Sequence, residues 1–279
     1  VYLSHHLGRA PRIIIPPRYY MILNYYKSLI FFFLCISISS AQIYRVMTYN
    51  IHHGEGTDSI IDIKRIAQVI NKWSPELVAL QEVDNGTTRS GNINEADTLA
   101  MLTEMHSVFG KNIDVFGGGY GNAVLSKYPI IRSENRKLPR VNNGEQRGLL
   151  AVWVQLPKTN DTLVFISTHF DHRLDPEERI LSTEQIKSWI VRGDFGDDII
   201  IAGDLNDIPS SDIIIVFNSI CDGSNQNARY KTFPSGSPSR QIDYIFACRK
   251  GRYTIDSFHV IDEPIISDHL PLIGDIIFP

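Results

Sequence analysis

Apolar positions along the chain recur in two rhythms. Ile60, Ile63, Ile66, Ala67 and Ile70 fall at helical spacing and Ser74-Pro75 closes the segment, so the pattern predicts a helix over 60–73. Residues 43–49 alternate and stop at Asn50, as a strand does, and 77–80 read as a short buried strand running into Gln81-Glu82. Residues 97–109 read as a second helix, 122–126 and 149–156 as successive strands of an antiparallel region, and 162–168 as a strand that delivers His169. Asp175-Pro176-Glu177-Glu178 predicts a helix start, with Asp175 as N-cap, Pro176 in the first turn and Glu178 completing a capping box, and the helix runs to Trp189. Residues 198–202 are nearly unbroken Ile, which predicts a strand covered on both faces, and 241–247 and 272–278 supply the late strands. No repeat or linker divides 42–279, so one domain is expected there, built as two packed sheets with helices outside.

The first 41 residues stand apart from that core. From Met21 the chain has a basic start at Lys27, an apolar run over 29–38 and the ending Ser39-Ser40-Ala41-Gln42, which fits a secretory signal peptide (21–41) cut after Ala41. The run falls short of the ~20 apolar residues that span a bilayer, which weighs against a membrane anchor. Cys35 lies mid-run without a convincing lipobox. Residues 1–20, with Pro11, Pro16 and Pro17, read as an upstream extension. The expectation is an exported protein, periplasmic or extracellular. Of the 27 basic residues, Arg9, Arg12, Arg18 and Lys27 go with this segment, leaving 23 against 31 acidic ones and a net charge of −8. Such a balance disfavours non-specific binding to a phosphate backbone without excluding a nuclease. Cys221 and Cys248 remain, and either pair in an oxidising compartment or stand as two buried thiols.

Polar groups stand where the apolar strands end: Asn50, Glu82, His169, Asp204 with Asn206, and Asp268 with His269. Side chains at strand ends on one edge of a sheet converge, which is how α/β folds build sites. Each taken singly has a plain alternative: Asn after a strand is usually a turn residue, Gln-Glu usually faces solvent, and Gly-Asp-Leu-Asn is a common turn. Together they are the parts needed to attack a phosphate ester with metal-activated water.

Thr48-Tyr49-Asn50-Ile51-His52, Leu80-Gln81-Glu82-Val83, Ser167-Thr168-His169, Gly203-Asp204-Leu205-Asn206-Asp207, Ile242-Asp243-Tyr244-Ile245-Phe246 and Ser267-Asp268-His269-Leu270-Pro271 resemble, in this order, the endonuclease/exonuclease/phosphatase superfamily. The resemblance implies a deoxyribonuclease I-like fold, a four-layer α/β sandwich of two packed mixed β-sheets flanked by helices. It also implies roles. Glu82, with Asn50 and Asp268, would hold Mg2+ or Mn2+, for which hard oxygen ligands are suited, and no Cys/His zinc cage is evident. Asp204 would orient or deprotonate the attacking water, and Asn206 would fix that water or a phosphate oxygen. His269, oriented by Asp268 or Asp243, would stabilise charge on the phosphoryl oxygens, and His169 would act near the leaving oxygen as a general acid. A histidine at 169 also resembles the deoxyribonuclease I-like and sphingomyelinase-like branch rather than abasic-site enzymes, whose pattern there contains tyrosine.

Three further features carry weaker signals. Arg147, in Glu145-Gln146-Arg147-Gly148, is either a phosphate contact or a solvated hairpin arginine. The glycines of 117–121 either approach a substrate or make a turn, and the run from Gly119 to Ile130 resembles small bacterial family members, which brings in Asn122. His172 either helps bind substrate or lies in a solvated loop. The reading that follows is an exported, monomeric, metal-dependent phosphoesterase acting on a lipid-linked, glycolipid-anchor or small phosphodiester, with peripheral proximity to a membrane among its expectations. Lack of a basic strip interleaved with aromatics makes nucleic acid the lesser alternative, and a non-catalytic binding module on the same scaffold is the other.

Overall fold

The computed structural model describes residues 42–157, 161–224 and 228–278; the expected extension (1–20) and signal peptide (21–41) lie outside the described residues. Gln42–Asn50 (β1) leads through a 3-10 turn, His52–Gly54, to the helix Ile63–Trp73 (α1). Asp62 caps α1 by accepting from the Lys64 N–H, and Ser74, in the left-handed region just before Pro75, ends it. Ile63, Ile66, Ala67, Val69 and Ile70 face inward, whereas Ile60 and Ile61 are exposed in the preceding loop, so the helix starts three residues later than the spacing predicts.

Leu77–Asn85 (β2) then runs parallel to β1, and Glu95–Thr103 forms α2. The second helix is shorter than predicted. Glu104 takes a left-handed conformation and its N–H closes on the Ala100 carbonyl, and residues from His106 onward belong to a half-exposed strand, His106–Val115 (β3), whose mixed burial resembles a helical pattern. Gly118–Ser126 (β4) pairs between β2 and β3. Of the glycines in 117–121, Gly118, Gly119 and Gly121 lie within the strand and Gly117, at φ 78°, makes the turn before it. A Cβ on Gly121 would sit 2.0 Å from the Gly110 carbonyl oxygen, so glycine lets β3 and β4 approach.

The second half repeats the parallel device. Ile130–Lys137 (β5), Gly148–Gln155 (β6) and Thr162–His169 (β7) are antiparallel neighbours; Glu177–Val191 (α3) then crosses to Ile199–Asp204 (β8), parallel to β7. Pro176, not Asp175, stands at the N-cap; Asp175, one residue earlier, accepts from the Glu177 N–H, and Glu178 does not complete a capping box, its carboxylate being buried against the Val141 N–H and Arg173. Asp212–Ile220 (α4), Cys221–Gly223 (β9), Asp243–Cys248 (β10), Thr254–Val260 (β11) and Leu272–Phe278 (β12) complete the chain. Cys221 and Cys248, opposite each other on β9 and β10, form a disulfide.

One sheet has the order β11-β12-β1-β2-β4-β3 and the other β5-β6-β7-β8-β10-β9. Val46, Leu77, Ala79 and Val124 of the first pack on Val152, Phe165, Ile200 and Ile245 of the second. The alternate residues of β1 and β2 face α1 and α2, and those of β7 and β8 face α3 and α4, so the molecule has the expected layers, helix, sheet, sheet, helix. Burying one Phe or Ile fully contributes roughly 1.5–3 kcal/mol, which is why the central strands are apolar on both faces.

Candidate active site

Two parallel pairs, β1–β2 in one sheet and β7–β8 in the other, deliver Asn50, His169 and Asp204 from their ends and Glu82 from within β2, while β10, antiparallel to β8, begins with Asp243 directly opposite Asp204. The loop before β12 brings His269. Beneath them Gln81 links the sheets: it accepts from Thr48 Oγ1 at 3.2 Å and donates to Ser167 Oγ at 3.2 Å, and Ser167 donates to the Leu80 carbonyl. The polar residues beside the expected catalytic ones thus form the floor that fixes the spacing between sheets.

Glu82 owes its direction to a β-bulge. Leu80 pairs with Ala123 and Val83 with Gly121, so Gln81 and Glu82 together oppose Asn122, and Glu82 adopts φ 59°. Asn122 does not reach into the site; its amide nitrogen donates to the Gly148 carbonyl across the sheets at 3.0 Å. Asn206 also lies in the left-handed region, its N–H bonded to Asp204 Oδ1 at 2.9 Å, which makes the tight turn after β8.

Asp204 Oδ2 is the centre of the site. The Asn50 amide donates to it at 3.1 Å and also to Glu82 at 2.9 Å, and the Nε2 atoms of His169 and His269 each lie 3.6 Å from it. Burial and the neighbouring Asp243 charge raise the Asp204 carboxyl's affinity for a proton, partly offset by His269 and the bonds from Asn206 and Asn50. The two histidines differ. For His269, burial opposes the charged form, but Asp243, 2.9 Å from Nδ1, and Asp204 outweigh it and push the group up to about 10. Burial, then the Arg147 charge, hold His169 well below the ordinary value. Arg147 Nη1 lies 3.2 Å from His169 Nδ1 and Asn206 Nδ2 lies 3.1 Å from its Nε2; both are donors, and a neutral imidazole accepts at one nitrogen only, so the two groups compete for the ring's lone pair. Asn206 Nδ2 also donates to the Phe170 carbonyl at 3.1 Å.

Arg147 is buried, paired with Glu145 at 2.8 Å, and its Nη2 meets Nδ1 of the exposed His172 at 3.3 Å, so it is no solvated hairpin arginine. Asp268 is half-buried and accepts from Ser267; Asp243, not Asp268, hydrogen-bonds His269. Among the described residues two groups of ligand atoms lie within 4.8 Å of one another: Asp204, Asp243 and His269, wholly buried, and His52, His53 and Glu82, partly open. The bonds already made within the first group leave Glu82 as the accessible carboxylate for a cation, a donor chemistry that fits a divalent ion.

Several contributors escaped the sequence reading. Thr232 donates to Asp243 at 2.5 Å, Phe233 packs on the His269 ring with centroids 4.8 Å apart, and Tyr120 is held neutral by burial and by its hydrogen-bonded neighbour Glu82. The first two come from the loop that precedes β10, and only the adjoining Ile242-Asp243 pattern hints at them.

Residues 47–269 match the Endonuclease/Exonuclease/phosphatase family model. The chain belongs to this family. Members of the endonuclease/exonuclease/phosphatase family hydrolyse phosphoester bonds and generally use divalent metals. The chain is 24% identical to YbhP of Escherichia coli over 245 residues, 84% of this chain and 96% of YbhP. Its fold is similar to that of a family protein from Bacteroides thetaiotaomicron (TM-score 0.72, 16% identity, covering 86% of this chain and 99% of that one). It is also similar to the fold of a mannosyl-6-phosphatase from the same organism (TM-score 0.70, 16% identity, 84% and 100%).

Proposed function

We propose that this family member is an exported, metal-dependent phosphodiesterase in which Asp204 activates the attacking water. The observation that supports this most is the convergence of Asn50 and two imidazole Nε2 atoms on the single oxygen Asp204 Oδ2. Glu82 would hold the divalent ion, Mg2+ or Mn2+, with Asn50 fixing the carboxylate, and the ion would neutralise charge on the phosphoryl oxygens. His269, protonated between Asp243 and Asp204, stabilises negative charge building on phosphorus-bound oxygen. His169, beside Asp204, meets the phosphoryl or leaving oxygen and acts as its general acid in the tautomer that carries the proton on Nε2. Asn206 orients the water or a phosphate oxygen beside Asp204.

The acidic balance of 42–279 favours a lipid-linked or small phosphodiester over nucleic acid. Export draws support from the apolar run before Ala41 and from the Cys221–Cys248 disulfide, a bond of oxidising compartments. The deciding experiment is hydrolysis of bis-p-nitrophenyl phosphate and of a panel of sphingomyelin, phosphatidylinositol, inositol phosphates, DNA and RNA. Turnover should need a divalent ion, vanish with EDTA, and fall by about 10^3-fold or more in Asp204→Ala. Undiminished turnover in His269→Ala would sink the mechanism, and plasmid nicking as the dominant activity would move the substrate to nucleic acid.

A further inference from the structure

His52 and His53 have no part in the mechanism above, yet the backbone is strained to place them. Both lie in the left-handed region, at φ 45° and 44°, a conformation that non-glycine residues seldom adopt in succession, and it clusters at functional sites. Ligand atoms of His52, His53 and Glu82, itself at φ 59°, lie within 4.8 Å of one another. The His53 side chain is buried; its Nε2 meets the Glu55 carboxylate at 3.1 Å, but its Nδ1 has no partner. A structural role explains the first nitrogen and not the second, because a buried polar atom left unpaired is a net cost. His52 is half-exposed, with Nδ1 3.3 Å from the Glu55 carbonyl and its ring against that of His53, centroids 4.5 Å apart. The nearby cation Arg89 is engaged in a two-pronged pair with the buried Asp84, at 2.7 and 2.8 Å, which offsets its repulsion of an ion.

We propose that His52 and His53 join Glu82 in a mixed nitrogen and oxygen site that favours a first-row transition ion over Mg2+. Imidazole suits such ions, whereas Mg2+ selects oxygen and retains its waters. The inference rests on Glu82 being the carboxylate that holds the cation. Pulsed electron spin-echo spectroscopy on the Mn2+-loaded full chain tests it directly, because a bound imidazole adds nitrogen modulation. The wild type should show that modulation. The double variant H52Q/H53Q should lose it and bind Mn2+ about tenfold or more weakly, while His269→Gln should keep it. Should the double variant fail to fold, His52→Gln alone, at a half-exposed position, is expected to reduce the modulation. Oxygen-only coordination that Glu82→Gln abolishes would overturn the inference and leave the reading of Glu82 intact. Modulation that survives H52Q/H53Q and disappears in His269→Gln would overturn it too. A wild type that binds no Mn2+ overturns both.

Discussion

Arg147 and Asn206 compete for the lone pair of a neutral His169, because each offers an N–H donor, 3.2 Å from Nδ1 and 3.1 Å from Nε2. Arg147→Met should remove the donor at Nδ1 and leave Asn206 facing Nε2. Proton–nitrogen correlation spectra of the His169 ring should shift toward the Nδ1–H form, and kcat should drop by roughly 10^2-fold, the lower range for a displaced acid–base group. An unchanged tautomer in the variant would show that Arg147 does not position His169. Asp204, Asn206 and His269 were legible in the sequence because each ends or precedes an apolar strand. His53, Tyr120 and Thr232 were not. Their contribution depends on two histidines in left-handed conformations that only the adjoining Gly54 hints at, or on contacts with residues 38 to 11 positions away that no local pattern encodes.

Strand pairing determines how precisely those side chains meet. Gly203 opens the Gly-Asp-Leu-Asn motif not as a turn residue but as the last position before Asp204 in β8, where β7 lies close: a Cβ there would sit 2.0 Å from the Thr168 carbonyl oxygen. Gly203→Ala should push β7 from β8 and separate His169 from Asp204. Activity should fall on the order of 10^2-fold, as for a displacement of about 1 Å, with a lowered melting temperature and little change in circular dichroism. Full activity in this variant would mean that the two strands can part without disturbing the site. Buried strands such as β8 and β12 were readable as apolar runs, and β12 matches its predicted bounds. The edge strands β5 and β11 and the start of β3 were not readable, because one-sided burial and charged positions blur the alternation; α4, with a straight run of Ile and Val, carries no helical stripe.

Across the whole molecule, proton affinities set the direction in which stability depends on pH. His269, Asp204 and Glu95 all bind protons more tightly when folded than their ordinary values, and His169 less tightly. A group with raised affinity contributes stability that is complete below its unfolded pKa and lost as pH rises through its folded one; for His169 the sign reverses, and stability is lost as pH falls below the ordinary histidine range. Stability should therefore peak in mild acid and decline toward pH 10, where His269 loses its proton. Glu95 isolates one share of this decline. Fully buried at the start of α2, its carboxyl accepts from the Asp84 N–H through one oxygen, leaves the other without a partner, and is pushed up to about 8 by burial and then by the Asp84 charge, against the bond from the Asp84 N–H. Each tenfold change in proton affinity is worth about 1.4 kcal/mol, so ionising the unfolded chain alone costs the fold on the order of a few kcal/mol by pH 8. Glu95→Gln keeps the shape and the acceptor but cannot ionise. Denaturant melts at pH 5 and pH 8.5 should show the wild type losing more stability than the variant over that interval, with the variant the more stable at pH 8.5. Parallel loss in both proteins would mean that Glu95 is ionised within the fold, held by its bond to the Asp84 N–H and the nearby Arg89.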